Sequence, residues 1–465
     1  MIIKKFILFF LLITSVVNSQ DIYNLHLIKN YNVRPGQDST ELNSRYSAIW
    51  GWTSPQGREY AILCCVTGTS FIDITDTNNI SECGFVEGEM AINREAKTYL
   101  NYAYIIADRY HVSPGTGIQI VDLSFLPDSV HHIKNWTFEN FRFAHTLFQE
   151  NNFLYLNGSN SLTSGGITII DISDPVNPVM RGQYTRGYIH DCYVRNDTIY
   201  GALTSQNKYV ILNASNKDSI KEIVEFNEIV GYDLPHSCWL SDDGNTLITA
   251  NESRSPPGNV SFWNISELKN INYITTYRPP GNTTSIAHNI FIKNKLVFVS
   301  HHTAGLRILD YRNPNLPVEI AYHDTYPMSN AAIIAGNWGC YPFFTSGKII
   351  SSDMQTGLYV HKLINDPTSI SNPNLIINAF NLFQNYPNPF NPKTVISYSL
   401  LRNSMTTVKV YDVLGKEVRT LVNEMKSAGS FEVDFDGSNL SSGIYFYSMR
   451  INGKIIETKS MVLLK

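Results

Sequence analysis

A strand-like phrase that recurs seven times between residues 22 and 363 restricts this chain to very few folds. Each copy opens on a small or polar residue, continues with alternating apolar residues, and ends on a polar side chain. Two further strand-like segments precede each copy and one follows it, so each unit has four short strands. Seven such units predict a seven-bladed β-propeller, an all-β fold in which each sheet packs face to face on the next. The copies begin at Gly68, Thr116, Gly165, Asn207, Gly258, Ala304 and Thr356.

The composition supports an all-β chain and excludes one class of partner. Aromatic residues make up 12% of the sequence, with 28 Gly and 20 Pro, which suits short strands joined by tight turns. Only 16% of residues are charged and the net charge is −4, so the chain lacks the large basic surface that nucleic acids require. Because of this charge balance, we predict no nucleic-acid partner. Six cysteines in 465 residues do not make a disulfide scaffold.

The ring of sheets must close, because an unpaired outer strand would leave backbone hydrogen-bonding groups open along an edge. The last copy of the phrase is followed by a linker-like stretch rather than by a strand. The segment YNLHLIKNYNV, residues 23–33, resembles the outer strands of the other units. The sequence therefore predicts that this N-terminal segment completes the seventh sheet.

The two ends of the chain predict export. Lys4 and Lys5 precede an apolar run from Phe6 to Val17, which indicates a secretory signal peptide over residues 1–19. No later apolar stretch reaches the roughly 18 residues of a membrane-spanning helix, so no transmembrane anchor is expected. The propeller is assigned to residues 20–365 and a linker to 366–380. Alternating strands and turns over 381–465 predict a small Ig-like β-sandwich.

The C-terminal segment carries three motifs that point to one family. The start YPNPFNP, the hairpin VYDVLGKEV and the strand SGIYFY closely resemble the type A sorting domain of type IX secretion. This resemblance implies that the type IX machinery of a Bacteroidota-like bacterium is a partner of the chain. It also implies a protein that is secreted or attached to the outer cell surface.

The repeats carry a second resemblance. The phrase matches the LVIVD-type propeller repeat, and SRYSAIWGW, YIHDCYV, AHNIFI, AGLRILDYR and NWGCYPFFTSGKIISSDMQTGLYV together resemble the choice-of-anchor B family over residues 40–363. The resemblance implies an extracellular location and specifies no reaction. One departure is Asn93-Arg94-Glu95, where Trp-Arg-Asp would be expected.

Histidines recur at one position of the innermost strands. Counting back from the second strand of each unit aligns His145, His190, His236 and His288 in units three to six. The same count puts Glu95 there in unit two, and a shared Trp-Gly pair suggests Trp50 and Trp338 in units one and seven. Because innermost strands line a common channel, these side chains should converge at its mouth. Asp191, Ser237 and Asn289 follow the histidines by one residue and could orient the rings.

Imidazole and carboxylate groups are good ligands for Zn, Fe, Mn, Ni or Cu. The sequence therefore predicts an axial site for one divalent transition metal, held by some of Glu95, His145, His190, His236 and His288. A structural explanation competes with it, since a histidine bonded to a neighbouring backbone carbonyl would recur at one position without any metal. The pattern leaves open whether His301 and His302 line the same mouth or lie in a loop. Cys192 and Cys238 share the histidine face, and small buried side chains are favoured there over metal ligands or a disulfide.

Two functions from different classes follow. The first is a binding module, in which the channel mouth and loops of a surface-displayed propeller hold an extracellular ligand or protein partner. The second is an enzyme, in which the His/Glu cluster holds a metal that activates water for hydrolysis or supports oxidation. Fold alone does not choose between them, because propellers host both. Convergence of three or more of the histidine rings on one point would favour a metal.

Overall fold

A computed structural model describes residues 22–34, 44–108, 115–162, 164–229, 231–280, 284–366, 381–385, 387–400, 404–426 and 429–464. The predicted signal peptide and residues 367–380 of the predicted linker lie outside the described residues. The chain divides into two compact units, Met1–Ile364 and Asn365–Lys465. Within the described residues, no helix combines the length and the apolar character needed to cross a membrane.

The described residues of the first unit form seven antiparallel sheets, numbered here in chain order of their first strands. In five of them the four strands follow one another along the chain. In sheets six and seven, all strands except the outermost follow one another along the chain. One short 3₁₀ helix, Thr204–Gln206, follows the second strand of sheet four. The strands of sheets one to seven are Tyr46–Thr53, Glu59–Cys65, Gly68–Asp73 and Ser81–Glu87; Asn93–Tyr99, Tyr102–Asp108, Ile118–Asp122 and His131–Trp136; Thr146–Glu150, Phe153–Asn157, Ile167–Asp171 and Val179–Tyr184; Cys192–Arg195, Thr198–Leu203, Lys208–Asn213 and Lys221–Asn227; Pro235–Leu240, Thr246–Asn251, Val260–Asn264 and Asn272–Tyr277; Ile290–Lys293, Leu296–His301, Gly305–Asp310, Val318–His323 and Ile22–Tyr23; Asn337–Tyr341, Lys348–Asp353, Gly357–Leu363 and Leu25–Tyr31.

The sheets form a closed ring. The first strand of each sheet contacts the first strand of the next, and the first strand of sheet seven contacts that of sheet one. Apolar residues of neighbouring sheets share their cores: Ile62 and Phe71 of sheet one cluster with Ile105 and Val121 of sheet two. This cyclic stack of four-stranded sheets is the arrangement of a β-propeller, and it agrees with the all-β prediction.

The phrase that repeats in the sequence forms the third strand of each sheet, and its polar last residue has a local role. Asp73 accepts a hydrogen bond from the backbone N–H of Thr75 at 2.8 Å, and Asp171 does the same for Ser173 at 2.9 Å. Such Asx turns let the chain leave the strand towards the outer strand. Gly305, the second residue of the copy in sheet six, has a φ of 80°, and a Cβ there would lie 2.0 Å from the backbone carbonyl oxygen of His323. Close packing of the hairpin therefore requires glycine there.

The N-terminal segment closes the ring as predicted. Leu25–Tyr31 pairs antiparallel with Gly357–Leu363 and becomes the outer strand of sheet seven. The two residues before it behave differently, since Ile22–Tyr23 adds a fifth strand to sheet six. Between sheets seven and one, Lys348 Nζ lies 2.9 Å from Glu59 Oε2, and both side chains are at most 10% exposed.

The described part of the second unit contains two antiparallel sheets. The smaller has the strand order Asn381–Leu382, Lys393–Leu400, Gly429–Asp436, and the larger has the order Glu417–Lys426, Ser404–Tyr411, Gly443–Ile451, Lys454–Leu463. Both sheets contribute to one core, in which Ile396 and Phe435 of the smaller sheet cluster with Val408 and Tyr447 of the larger. Alternation along Ser404–Tyr411 is strict: every second residue is buried.

Closure through the N-terminal strand makes a prediction about stability. Leu25 is 4% exposed and packs against sheets six and seven. We expect Leu25→Ala to lower the free energy of unfolding by about 2 to 5 kcal/mol, because a buried leucine loses its contacts and leaves a cavity. The exposed neighbour Lys29 is the matched control, and Lys29→Ala should change it by less than about 0.5 kcal/mol. Urea denaturation of both variants measures the difference, and equal values would contradict a stabilising role for this strand.

Candidate functional site

The site lies where the first strands of the ring meet. A cavity of about 510 Å³ is lined there by residues from the first strands of all seven sheets or from the residues just before them. The ring geometry therefore brings together side chains that are far apart in the sequence. The titratable groups on its wall are Arg94, Glu95, Lys97, His145, His190, Asp191, His236, Glu252, Arg254 and His288.

The four predicted histidines lie side by side in this cavity. The ring centroids of His145 and His190 are 4.2 Å apart, those of His190 and His236 are 4.1 Å apart, and those of His236 and His288 are 4.3 Å apart. His302 extends the row, with its centroid 4.5 Å from that of His288. We call these five side chains the histidine layer.

Two hydrogen-bond acceptors orient members of the histidine layer, one at His145 and one at His288. His145 Nδ1 lies 2.5 Å from Asp108 Oδ2, and His145 Nε2 lies 2.9 Å from His190 Nε2. His288 donates from Nδ1 to the backbone carbonyl of Trp338 at 2.6 Å. This second contact is the interstrand bond that a purely structural histidine would make. It leaves the other ring nitrogen of His288 as an acceptor in the neutral imidazole.

Glu252 completes the layer. Its Oε1 accepts a hydrogen bond from His302 Nε2 at 3.0 Å, and its Oε2 lies 3.6 Å from His236 Nε2. Ring nitrogens and a carboxylate oxygen come within 4.8 Å of one another in two sets, one of His190, His236 and Glu252, the other of Glu252, His288 and His302. Glu252 was not among the metal ligands predicted from the sequence. It follows the second strand of sheet five, and a position after a second strand lies outside the alignment of innermost strands.

Glu95 lies in the cavity wall but outside both sets. It forms an ion pair with Lys97, and its Oε2 accepts a hydrogen bond from the backbone N–H of Leu147 at 2.9 Å. The strand pairings make Glu95 the equivalent of Thr146. In both sheets the Asp that ends the third strand pairs with the first residue of the second strand, and Glu95 or Thr146 pairs with the residue four positions later on that second strand. Arg94 therefore takes the histidine position in sheet two, and its side chain donates to the carbonyls of Cys65 and Glu89.

The two tryptophans do not share a position. Trp338 lies at the histidine position of sheet seven, with its ring centroid 4.6 Å from that of His288. Trp50 faces Ile62 as Phe148 faces Tyr155, which puts it three residues further along its strand. The equivalent of Trp50 in sheet seven is Tyr341, which faces Ile350, so the shared Trp-Gly pair misaligned these two strands.

The position of Trp50 forms a second layer across the channel. Lys97 occupies this position in sheet two, and an aromatic side chain occupies it in each of the other six sheets. The aromatic members are Trp50, Phe148, Tyr193, Trp239, Phe291 and Tyr341. Neighbouring rings are in contact, with centroids 4.5 Å apart for Tyr193 and Trp239 and 5.0 Å apart for Trp50 and Tyr341. Lys97 Nζ lies 4.5 Å from the centre of the Trp50 ring. We call these seven side chains the aromatic layer.

The residues after the histidines tie the sheets together. Ser237 donates to the carbonyl of His288 at 2.8 Å, Asn289 to that of Trp338 at 3.2 Å, and Thr146 to that of His190 at 2.7 Å. Asp191 occupies the same position in sheet four and accepts from the N–H of Cys192 at 2.8 Å. Burial and the nearby Glu95 carboxylate raise the pKa of Asp191 to about 7.

Burial also decides the charge of the layer. It lowers the pKa of His236 to about 4 and lowers the pKa values of His190 and His288 well below their usual range, with neighbouring imidazoles adding to the effect in both. At neutral pH these rings are therefore uncharged and their lone pairs are available. For His145, burial lowers the pKa, but the hydrogen bond and charge of Asp108 outweigh it and raise the pKa overall. Burial opposes ionisation of Glu252, yet His236 and the hydrogen bond from His302 lower its pKa.

The cysteines are not bridged. All six are free thiols, and Cys192 and Cys238 line the cavity below the histidines. Cys238 donates to the carbonyl of Tyr200 at 3.1 Å. Burial raises the pKa of both thiols, which keeps them protonated and agrees with the preference for small buried side chains.

Comparisons with known proteins identify two segments of the chain. Residues 384–463 match the secretion system C-terminal sorting domain family, and residues 152–186 match the LVIVD repeat family. The sorting domain indicates that the type IX machinery handles this protein, which is secreted or attached to the outer surface. A search among curated proteins finds no significant relative.

Three solved structures illustrate the similarity of fold. A protein from Lactobacillus plantarum is 12% identical with a TM-score of 0.49, and the match covers 84% of this chain and 99% of that one. The Cps50 (Swd1) β-propeller domain of Myceliophteria thermophila is 10% identical with a TM-score of 0.46, covering 68% and 96%. A catalytically inactive virginiamycin B lyase from Staphylococcus aureus, solved with quinupristin, is 12% identical with a TM-score of 0.48, covering 70% and 98%. Similarity at this level does not extend to the activities of those proteins.

The lowered pKa of His236 predicts a pH dependence of stability. In the unfolded chain a histidine takes up a proton near pH 6.5, whereas His236 in the folded protein does so near pH 4. Between these values the unfolded state binds more protons, so the free energy of unfolding should fall as the pH decreases, by at most about 1.4 kcal/mol per pH unit for this group. Urea denaturation in the presence of a chelator should show a shallower dependence for His236→Gln. The exposed His132 is the control, and a His132→Gln slope as shallow as that of His236→Gln would contradict the assignment.

Proposed function

We propose that this chain is a secreted or surface-attached seven-bladed β-propeller, exported through an Ig-like C-terminal sorting domain, whose axial cavity binds an extracellular ligand through a divalent transition metal. The observation that carries this proposal is the histidine layer with Glu252 at its centre. Four imidazoles and the carboxylate of Glu252 line one cavity, and the buried His302 donates to that carboxylate.

Ring nitrogens that face a carboxylate support a metal site. The Nε2 atoms of His236 and His302 lie 3.6 and 3.0 Å from the two oxygens of Glu252, so these donor groups are already directed towards one another. Neutral imidazoles and a carboxylate are the donor set that Zn, Mn, Fe, Ni or Cu takes in proteins.

The shape of the cavity supports a small-molecule ligand. A volume of about 510 Å³ lies within the roughly 300 to 1,000 Å³ usual for ligand pockets. The aromatic layer offers flat apolar surface, and the histidine layer offers the metal. We therefore propose a ligand with an apolar ring or chain and an oxygen-donor group such as a carboxylate. The oxygen donor would complete the coordination while the apolar part packs against Trp239 and Phe291.

One observation favours an enzyme as the second candidate. His145 stands beside His190 but outside both sets of ligand atoms, and Asp108 holds its Nδ1 at 2.5 Å. A histidine oriented by a carboxylate next to a metal site is suited to move a proton to or from water or substrate. The alternative function is therefore a metal-dependent hydrolase in which His145 is the general base; an oxidase would use the same metal ligands.

Metal binding is tested by thermal stability of the full chain after chelator treatment. We expect Zn²⁺ or Mn²⁺ to stabilise the folded state, by about 2.7 kcal/mol when the free ion is at 100 times its dissociation constant. His236→Gln should remove most of this effect, and His132→Gln, at an exposed position, should retain it. Unchanged melting of the wild-type chain with Zn²⁺, Mn²⁺ and Cu²⁺ would overturn the metal site.

The enzyme alternative is tested with metal-loaded full chain and activated esters such as p-nitrophenyl acetate. Asp108→Asn should reduce metal-dependent turnover by about 10²- to 10⁴-fold, the range of general acid and base catalysis, without changing the bound metal. Asp128, an exposed carboxylate, provides the control Asp128→Asn. Absence of metal-dependent turnover, or equal rates in both variants, would leave the binding function as the proposal.

A further inference from the structure

The carboxylate of Glu252 is shared between two pairs of histidines. Its Oε2 faces His236, and its Oε1 accepts from His302. The two sets of ligand atoms each contain a different histidine pair, His190 with His236 and His288 with His302, and both contain Glu252. The two oxygens of one carboxylate thus point to different imidazoles on opposite sides of the same group.

We propose that the cavity holds two divalent transition-metal ions bridged by Glu252, one bound by His190 and His236 and the other by His288 and His302. This deepens the proposed function and rests on it. The site differs from the sequence-based expectation of one ion held by some of Glu95, His145, His190, His236 and His288.

Geometry favours two ions over one. A single ion bound by all the imidazoles would need ligand atoms of His190 and His302 in one set, and the structure does not bring these together. Carboxylate-bridged ions lie about 3.5 to 4 Å apart in two-metal sites. Each set places the ligand atoms of its own histidine pair and of Glu252 within 4.8 Å of one another, so one carboxylate between the two pairs can serve both ions.

The surroundings can orient the ligands and balance their charge. His288 is held by the carbonyl of Trp338 through Nδ1, which fixes a ring and its tautomer as outer hydrogen bonds do at known metal sites. Two dications carry four positive charges, and imidazoles contribute none. The carboxylate of Glu252 would offset part of that charge, whereas Glu95 is paired with Lys97, and Arg94 and Arg254 also line the cavity. An anionic oxygen ligand between the ions would supply more.

A shared ligand has a signature that independent sites do not have. Removing one histidine of either pair should remove one ion and leave the other, whereas removing the carboxylate should weaken both. We expect Glu252→Gln to lower the affinity for both ions by at least about 100-fold, since loss of an outer hydrogen-bond partner alone costs about 10- to 100-fold. The amide keeps the size of the side chain and its ability to bond His302.

The experiment titrates the chelator-treated full chain with Mn²⁺ and reads both stoichiometry and electron paramagnetic resonance. We expect two ions per wild-type chain with the spectrum of an exchange-coupled pair. His190→Gln and His302→Gln should each retain one ion with the uncoupled spectrum, and His132→Gln should match the wild type.

The possible failures are distinguishable. One ion per wild-type chain would overturn the bridged pair and leave the proposed metal-binding function standing. Two uncoupled ions, or loss of only one ion in Glu252→Gln, would overturn the bridging role of the carboxylate. No ion bound to the wild-type chain would overturn both the pair and the proposed function.

Discussion

Closure of the ring is the constraint on which the remaining structure depends. Leu25–Tyr31 pairs with Gly357–Leu363, so the last sheet is completed by a strand from the other end of the unit. A buried ion pair between Lys348 and Glu59 links the two sheets at this junction. Because the ring closes, first strands from all seven sheets surround one axis. Asp108, which orients His145, and His302, which belongs to the histidine layer, then act at one site although they are distant in sequence.

A second set of interactions fixes how the rings stand at that axis. Thr146, Ser237 and Asn289 each bond to the backbone carbonyl of the next sheet, one residue after the histidine position. These bonds hold the first strands in register, and the histidines are positioned with them. The structural explanation for recurring polar residues therefore applies to this neighbouring position, and it applies to His288 as well, whose Nδ1 donates to the carbonyl of Trp338.

The sequence was sufficient for what repeats and insufficient for what does not. The repeat phrase, the closing strand and four histidines were predicted, because each depends on a pattern that recurs at a fixed position. Glu252 was missed because it occurs in one sheet only, after a second strand. Glu95 was misaligned by one residue although its strand pairs without a bulge, because the register that gives Arg94 the histidine position is set by backbone pairing with the second strand. Trp50 was misaligned by three residues because a Trp-Gly pair occurs at different positions in the first strands of sheets one and seven.

The chemistry of the two layers constrains which metal fits the cavity. Soft ions such as Cu(I) are selected by thiolates and thioethers, and harder divalent ions by imidazole and carboxylate. Cys192 and Cys238 line the cavity, but burial raises the pKa of both thiols, and neither belongs to the two ligand sets. In the proposed site, the donors would therefore be the nitrogen and oxygen atoms of the histidine layer and Glu252. Imidazole suits Zn, Cu, Fe and Ni, and carboxylate suits Mn.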